Sequence, residues 1–448
     1  MQVKPLIDTQ NRVAVIHQSP RYEEAPVARS INNIMGHLGI SWSGLVRPGE
    51  RVLLKPNFIR ESHTDRPGEW EQIITHGSVI AAVALEVAKA LDARGTITIA
   101  DAPQTDSDFG KICERAQIPQ LRDRLQQQFP GVALEILDLR REVWRTVNGV
   151  IVERRKLKED PRGYTLVNLG QRSLFHGKPG RFFGADYDTA FTAKHHANGT
   201  HEYLLSRSVM DADVLINLPK LKTHKKVGVT LSLKNLVGIN GDKNFLPHFC
   251  IGTPDEGGDE FPRSDAMTKF QSRAIRAFKA AALRTGGATR LWGPAARRVG
   301  SKIFGDTNAV VRSGNWHGND TTWRMVLDLN KALLHFDGEG QPRKIPLRYL
   351  SIIDGIIAGE GNGPMEADAK PCGVLIAGTN PVAVDFVGAK IMGFDWQKIP
   401  MLREAFEKTH LDLASFSPEE IEVLPELGEG FHFKPHFGWK DHIEASTR

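Results

Sequence analysis

The sequence predicts an α/β protein: a mixed, mostly parallel sheet flanked by helices, with a basic helical insertion. Three observations predict it. Short β-branched runs alternate with segments of helical period along most of the chain. Glycine, proline and Asn-Gly turn signals separate these runs. One stretch, about 251–314, breaks the alternation in both pattern and charge. The chain has 448 residues, more than one simple core accommodates, so two lobes or one large core with an insertion is expected. The division read here is a first core part over 1–250, a basic insertion over 251–314 and a completing core part over 315–448.

The elements follow in order. Val13–Ile16 and Val52–Leu54 read as buried strands. Val79, Val83, Val87 and Leu91 recur at helical spacing, and Gly95 precedes the strand-like Thr96–Ala100. That strand–helix–strand order predicts parallel pairing through a crossover. Val132–Leu139 is another strand, and Asn148-Gly149 turns a hairpin between Val143–Val147 and Val150–Val152. Val214–Leu218, Tyr349–Ile353 and Gly373–Ala377 are further strands, and Pro381–Met392 is a helix with proline at its start. Between Arg263 and Arg312 stand 11 Lys/Arg and 2 acids, Asp265 and Asp306. That segment carries +9, so the remainder of a +5 chain is mildly acidic. Met267, Phe270, Ala274, Phe278 and Ala282 share one helical face, and Lys269, Arg273, Arg276 and Lys279 fall largely on another. Such a helix packs on the core with a solvated basic face, closes over an anionic site, or docks on a membrane surface or protein partner through 263–312.

Composition excludes several classes. Apolar residues make up 40% and charged residues 25%, ordinary globular usage that rules out wholesale disorder. No run approaches the ~18 apolar residues of a membrane span. The N-terminus lacks a signal-peptide core, so a cytoplasmic location, with peripheral membrane attachment open, is expected. Cys113, Cys250 and Cys372 are scattered and supply neither a disulfide framework nor an iron–sulfur cluster. Charge confined to one segment argues against a specific nucleic-acid binder.

The chemistry concentrates in Asn217–His248, NLPKLKTHKKVGVTLSLKNLVGINGDKNFLPH. Pro219 ends a strand, and a loop carrying Lys220, Lys222, His224, Lys234, Asn235, Lys243 and His248 is expected over the crevice at the strand ends. Lysines interleaved with glycine amides are the chemistry of a phosphate or carboxylate pocket, although a solvated basic loop has the same composition. Other strand ends add Lys55 and Asn57, Asp101, Asp354 and Glu360, and Thr75-His76 precedes a helix. No nucleophile elbow, phosphate loop or dinucleotide fingerprint is present.

The expected function is therefore an enzyme acting on a small anionic, phosphorylated or carboxylated molecule. Lys55, Asn57, Lys220, Lys222, Lys234, Asn235 and Lys243 bind it. His224 is the acid/base, because imidazole titrates near neutrality, with Asp101 and Glu360 as partners. A divalent metal held by His76, His248 and Asp354 is a candidate cofactor. Proton transfer, isomerisation and metal-assisted hydrolysis all fit. The competing expectations are a redox or metallocofactor accessory protein and a non-enzymatic anion-binding protein docked to a membrane or partner.

Five blocks carry a family resemblance: Lys55-Pro56-Asn57, Asn217–Gly238, GNDTTWRMVLDLN at 318–330, DGIIAGEGNGP at 354–364 and NPVAVD at 380–385. Together they resemble the family called domain of unknown function 362, over about 55–439. The resemblance implies a fold and a polar site at Lys55, Asn57, Lys220, Lys222, His224, Lys234, Asn235, Asp320, Glu360 and Asp385. Some relatives carry a ferredoxin-like module, and this chain lacks its cysteines.

Overall fold

The computed structural model describes residues 10–147, 150–178, 180–184, 188–273, 311 and 313–446. The first strands are β1 (Arg12–His17), β2 (Arg51–Pro56), β3 (Gly95–Asp101) and β4 (Val132–Asp138). Three small pairs follow: β5 (Glu142–Val147) with β6 (Val150–Lys156), β7 (Tyr164–Asn168) with β9 (Glu202–Ser206), and β8 (Phe182–Phe183) with β13 (Phe249–Cys250). The main sheet is completed by β10 (Val214–Leu218), β11 (Lys220–His224), β12 (Gly228–Val229), β14 (Arg348–Asn362), β15 (Glu366–Gly378) and β16 (Glu422–Leu424).

The strand order is β16-β1-β15-β14-β10-β2-β3-β4. The run β14-β10-β2-β3-β4 is parallel. Antiparallel β15 joins β14 to β1, and β16 lies parallel to β1 at the edge. Period-2 alternation splits the strand residues between two cores. Val52, Leu54, Ile97, Ile99, Val214 and Ile216 pack with the helices Glu24–Leu38 and Gly77–Ala90. Leu53, Leu215, Ile353 and Val374 face the helices Thr322–His335 and Pro381–Ile391. The result is a three-layer α/β fold, as the alternation of runs predicts.

Two expectations change. The chain after Pro219 is not a loop over a crevice. Pro219 ends one ladder, and the chain then resumes as β11, which pairs in parallel with β14 beyond the end of β10. Asp354 N donates to Pro219 O at 2.8 Å, which ties the break to the neighbouring strand. β14 runs for 15 residues rather than five and supplies the partner for both β10 and β11. In the insertion, the helix expected from about 267 begins within the described residues, with Met267 62% and Phe270 60% exposed, so these two residues of its apolar face are not packed on the core, whereas Ser272 is buried against Glu260. Ala274, Arg276, Phe278, Lys279 and Ala282 lie outside the described residues.

Candidate functional site

Lys220, Lys222 and His224 alternate along β11 and are 0%, 0% and 6% exposed. Burying an ammonium is costly unless it is paired, so the partners decide the chemistry. Lys220 Nζ is 2.8 Å from Asp354 Oδ2 and donates to the Tyr22 hydroxyl at 2.6 Å. Lys222 Nζ donates instead to two neutral oxygens, Asn57 Oδ1 at 2.8 Å and Ile73 O at 2.6 Å. Burial, then the charge of Lys220, pushes the Lys222 amine well below the ordinary lysine range.

The end of β2 brings Lys55 beside the end of β3. Lys55 Nζ lies 2.8 Å from Asp101 Oδ1, and that carboxylate also accepts from Phe58 N and Ala102 N, both at 2.7 Å. Gly238, in the turn Leu236–Ile239, presses directly on this pair: a Cβ there would lie 1.9 Å from Asp101 Oδ1. Side-chain amides join the two lysine systems. Asn57 Nδ2 donates to Asn235 Oδ1 at 2.7 Å, and Asn235 Nδ2 donates to Asn217 Oδ1 at 2.7 Å and Lys55 O at 3.1 Å. Such a chain fixes each amide's orientation and holds Lys222 in one pose.

Lys234 and Lys243 complete the cluster. Lys243 Nζ donates to Ala102 O at 2.7 Å, and burial holds its pKa down to about 8. Lys234 sits on the short helix Leu231–Asn235, whose Ser232 and Leu233 amides donate to the buried Asp385 carboxylate at 2.6 and 2.8 Å. Burial, then the charges of Lys243 and Lys55, push the Lys234 amine down to about 7, with Asp101 opposing. Among the described residues, no hydrogen bond or ion pair engages its Nζ.

The histidine tautomers follow from backbone partners. Lys226 N donates to His224 Nδ1 at 3.1 Å, so neutral His224 carries its proton on Nε2. His248 Nδ1 faces Leu246 O at 2.8 Å and must donate, which leaves an Nε2 lone pair. Burial and then the charge of Lys234 hold His224 well below 6.5, and burial, Lys226 and Lys234 hold His248 down to about 3. His224 is therefore not an imidazole poised at neutral pH, as its residue type suggests. It is a fixed hydrogen-bond donor, and His248 is a fixed acceptor.

Other predicted residues fall elsewhere. Asp354 is saturated by Lys220, Tyr22 and the backbone amides of His76 and Ile356. His76 caps the helix Gly77–Ala90 through Ser78 N and stacks on Tyr22 at 3.7 Å. His76 and Asp354 are thus neighbours, but each is occupied, and no group of three metal ligands exists among the described residues. The set His76, His248 and Asp354 does not fit a metal. Glu360 accepts from Lys370 Nζ at 2.9 Å and Lys434 N at 3.0 Å, an anchor for the C-terminal segment. Asp320 lines a separate cleft of about 360 Å3 with Lys178 and Arg324. Tyr22 and Asn217 belong to the site and were not singled out by sequence. Asn217 was visible in its block, whereas Tyr22 lies in a segment with no distinguishing pattern.

The fold and site define an α/β protein with a largely buried lysine cluster at the strand ends, in which the lysines outnumber their carboxylate partners among the described residues. The chain belongs to the domain of unknown function family (DUF362), whose model matches residues 130–390. It is also similar to the thylakoid-associated protein sll1697 of Synechocystis sp., at 26% identity over 385 residues, covering 86% of this chain and 76% of that protein.

Proposed function

We propose that this protein is an enzyme acting on a small anionic molecule, phosphorylated or carboxylated, bound at the buried lysine cluster. The observation that carries the reading is the buried Lys222 and the half-buried Lys234, neither of which has a carboxylate partner among the described residues. An uncompensated buried cation is unfavourable unless it deprotonates or meets an anion. An arriving phosphate or carboxylate reverses that balance: the amines take up protons and become charged donors. Lys55 and Lys220, already neutralised by Asp101 and Asp354, hold the walls of the pocket. His224 Nε2–H and the His248 Nε2 lone pair supply a donor and an acceptor of fixed sense, which suits hydrogen bonding that orients a bound substrate. The metal set proposed from sequence is not carried forward, because its three side chains do not assemble.

Titration calorimetry with inorganic phosphate in two buffers of different ionisation enthalpy tests this. Near pH 8, binding accompanied by net proton uptake is expected, and Lys222→Met removes both. Absence of phosphate binding, or binding unchanged in that variant, refutes the reading.

A second reading concerns location. Met267 and Phe270 are exposed beside Lys269, and the surrounding segment carries +9. Among the described residues, no helix is long and apolar enough to cross a membrane. Together with the thylakoid-associated relative, these features support peripheral attachment to an anionic membrane face.

A further inference from the structure

We propose that the cleft beside Asp320 is a second ligand site, and that it takes an aromatic monocarboxylate. The cleft has a volume of about 360 Å3, the size of an ordinary small-molecule site. No lysine of the buried cluster is among its described lining residues, so the inference stands apart from the anion-pocket reading. Its lining joins two kinds of surface. Phe175, Phe182 and Trp316 supply aromatic wall, and Lys178, Asp320 and Arg324 supply charge. Phe175 and Phe182 are 1% and 3% exposed and meet edge to face, with ring centroids 4.8 Å apart. Trp316 is held by its indole N–H, which donates to Asp259 O at 2.9 Å. Gly318 lies against the same ring, and a Cβ there would stand 2.2 Å from two of its carbons. Ring faces and edges fixed in this way favour a flat aromatic group over an aliphatic chain.

The charged end sets the sign of the ligand. Asp320 is shared by two cations: Lys178 Nζ lies 3.0 Å from Oδ2, and Arg324 Nη2 lies 2.8 Å from Oδ1 and 3.1 Å from Oδ2. Trp323 Nε1 also donates to Oδ1 at 3.2 Å, so this carboxylate is saturated. Asp259, which also lines the cleft, accepts from Cys250 N at 2.6 Å, Asp320 N at 2.9 Å and the Thr321 hydroxyl at 2.6 Å. The acceptors at this end are therefore spent, whereas donors remain. Arg324 commits Nε–H to Asp320 O at 2.9 Å and one Nη1–H to Leu174 O at 3.1 Å, and its guanidinium is held 4.1 Å over the Trp323 ring. A second Nη1–H is left over, as are two of the three N–H groups of Lys178 among the described residues. Both cations touch Asp320 Oδ2, so one incoming carboxylate reaches both. The two resident carboxylates repel a dianion more than a monoanion, which favours a carboxylate over a phosphate monoester.

Naphthalene-2-carboxylate is the probe, titrated calorimetrically into the full chain at pH 8. Saturable binding is expected, weakened about tenfold or more in naphthalene-2-carboxamide, which lacks the charge, and in octanoate, which lacks the rings. Hydrogen exchange read by mass spectrometry locates the site: naphthoate should slow exchange in peptides covering 250–260 and 316–324 and leave 217–248 unchanged. Lys178→Glu puts a like charge where a donor stood and should weaken naphthoate about tenfold or more. Absence of saturable binding, octanoate binding as tightly as naphthoate, or unchanged affinity in Lys178→Glu overturns the proposal. Displacement of naphthoate by phosphate with protection confined to 217–248 overturns it as well, since the ligand then sits at the lysine cluster. The Lys178 side chain is 41% exposed, so its replacement leaves the core intact, and the wild-type protection pattern needs no variant.

Discussion

Gly238→Ala isolates the energetic coupling at the centre of the site. Gly238 does not occupy the left-handed region, so alanine is compatible with its backbone. The cost comes from the methyl group. Its Cβ would lie 1.9 Å from Asp101 Oδ1, 2.8 Å from Lys55 Nζ and 3.0 Å from Lys55 Cε. Asp101 cannot swing aside freely, because Lys55, Phe58 N and Ala102 N all hold its carboxylate within 2.8 Å. Displacing it leaves a buried ammonium without its counter-ion, a loss of about 3–5 kcal/mol in comparable buried pairs. The lower chain entropy of alanine returns only about 0.5–1 kcal/mol. Urea unfolding followed by circular dichroism should show a lower midpoint with an unchanged slope. Gly36→Ala is the control, since its Cβ meets nothing within 4 Å and it lies in the helix Glu24–Leu38. That change should stabilise by about 0.5–1 kcal/mol. A loss under about 1 kcal/mol for Gly238→Ala refutes the claim that the turn locks the Lys55–Asp101 pair.

Lys222→Met leaves Asn57 Oδ1 and Ile73 O without their donor while removing a buried amine, so a net loss of about 1–3 kcal/mol is expected. Phosphate should then no longer raise the thermal midpoint, and full phosphate stabilisation in this variant contradicts the site. The Lys234 pKa in the fold, about 7, lies below its ordinary 10.5, so the unfolded chain binds more protons between those values. Wild-type stability, measured against Lys234→Met, should therefore rise as pH climbs from about 7 toward 10.5, and a flat difference excludes the depressed amine. Replacing Met267 and Phe270 by serine should lower co-sedimentation with phosphatidylglycerol vesicles at low salt, with little binding to phosphatidylcholine; equal binding by both proteins removes those residues from the docking face.

Much of the scaffold was legible because its cues are local. The β-branched runs at Val13–Ile16, Val52–Leu54 and Thr96–Ala100 and the helix from Val79 follow from period and turn chemistry, and all appear. Lys55 and Asp101 were also legible, since each directly follows a run that parallel pairing brings to one edge. What sequence could not carry is pairing at a distance. Lys-x-Lys-x-His has the period of a strand, but Pro219 hid it, because a proline that ends one ladder gives no sign of a second partner beyond it. The roles of Asp354 and Glu360 were misread for the same reason. A carboxylate after a strand looks available until Tyr22, 332 residues away, or Lys434, 74 residues away, fills its lone pairs. His224 was misjudged because tautomer and charge depend on Lys226 N and Lys234, not on residue type.

The break at Pro219 also limits how such a pocket can change. Lys220 and Lys222 occupy alternate rungs, with Leu221 between them in the apolar core. Inserting or deleting one residue before Lys220 would turn the lysines into that core and bring Leu221 to the polar side. The chemistry of this strand can therefore change by exchanging side chains on fixed rungs, but not by adjusting the length of the segment that carries them. Variation in length is left to segments outside the ladder, whereas the ladder itself behaves as a fixed rack with interchangeable pegs.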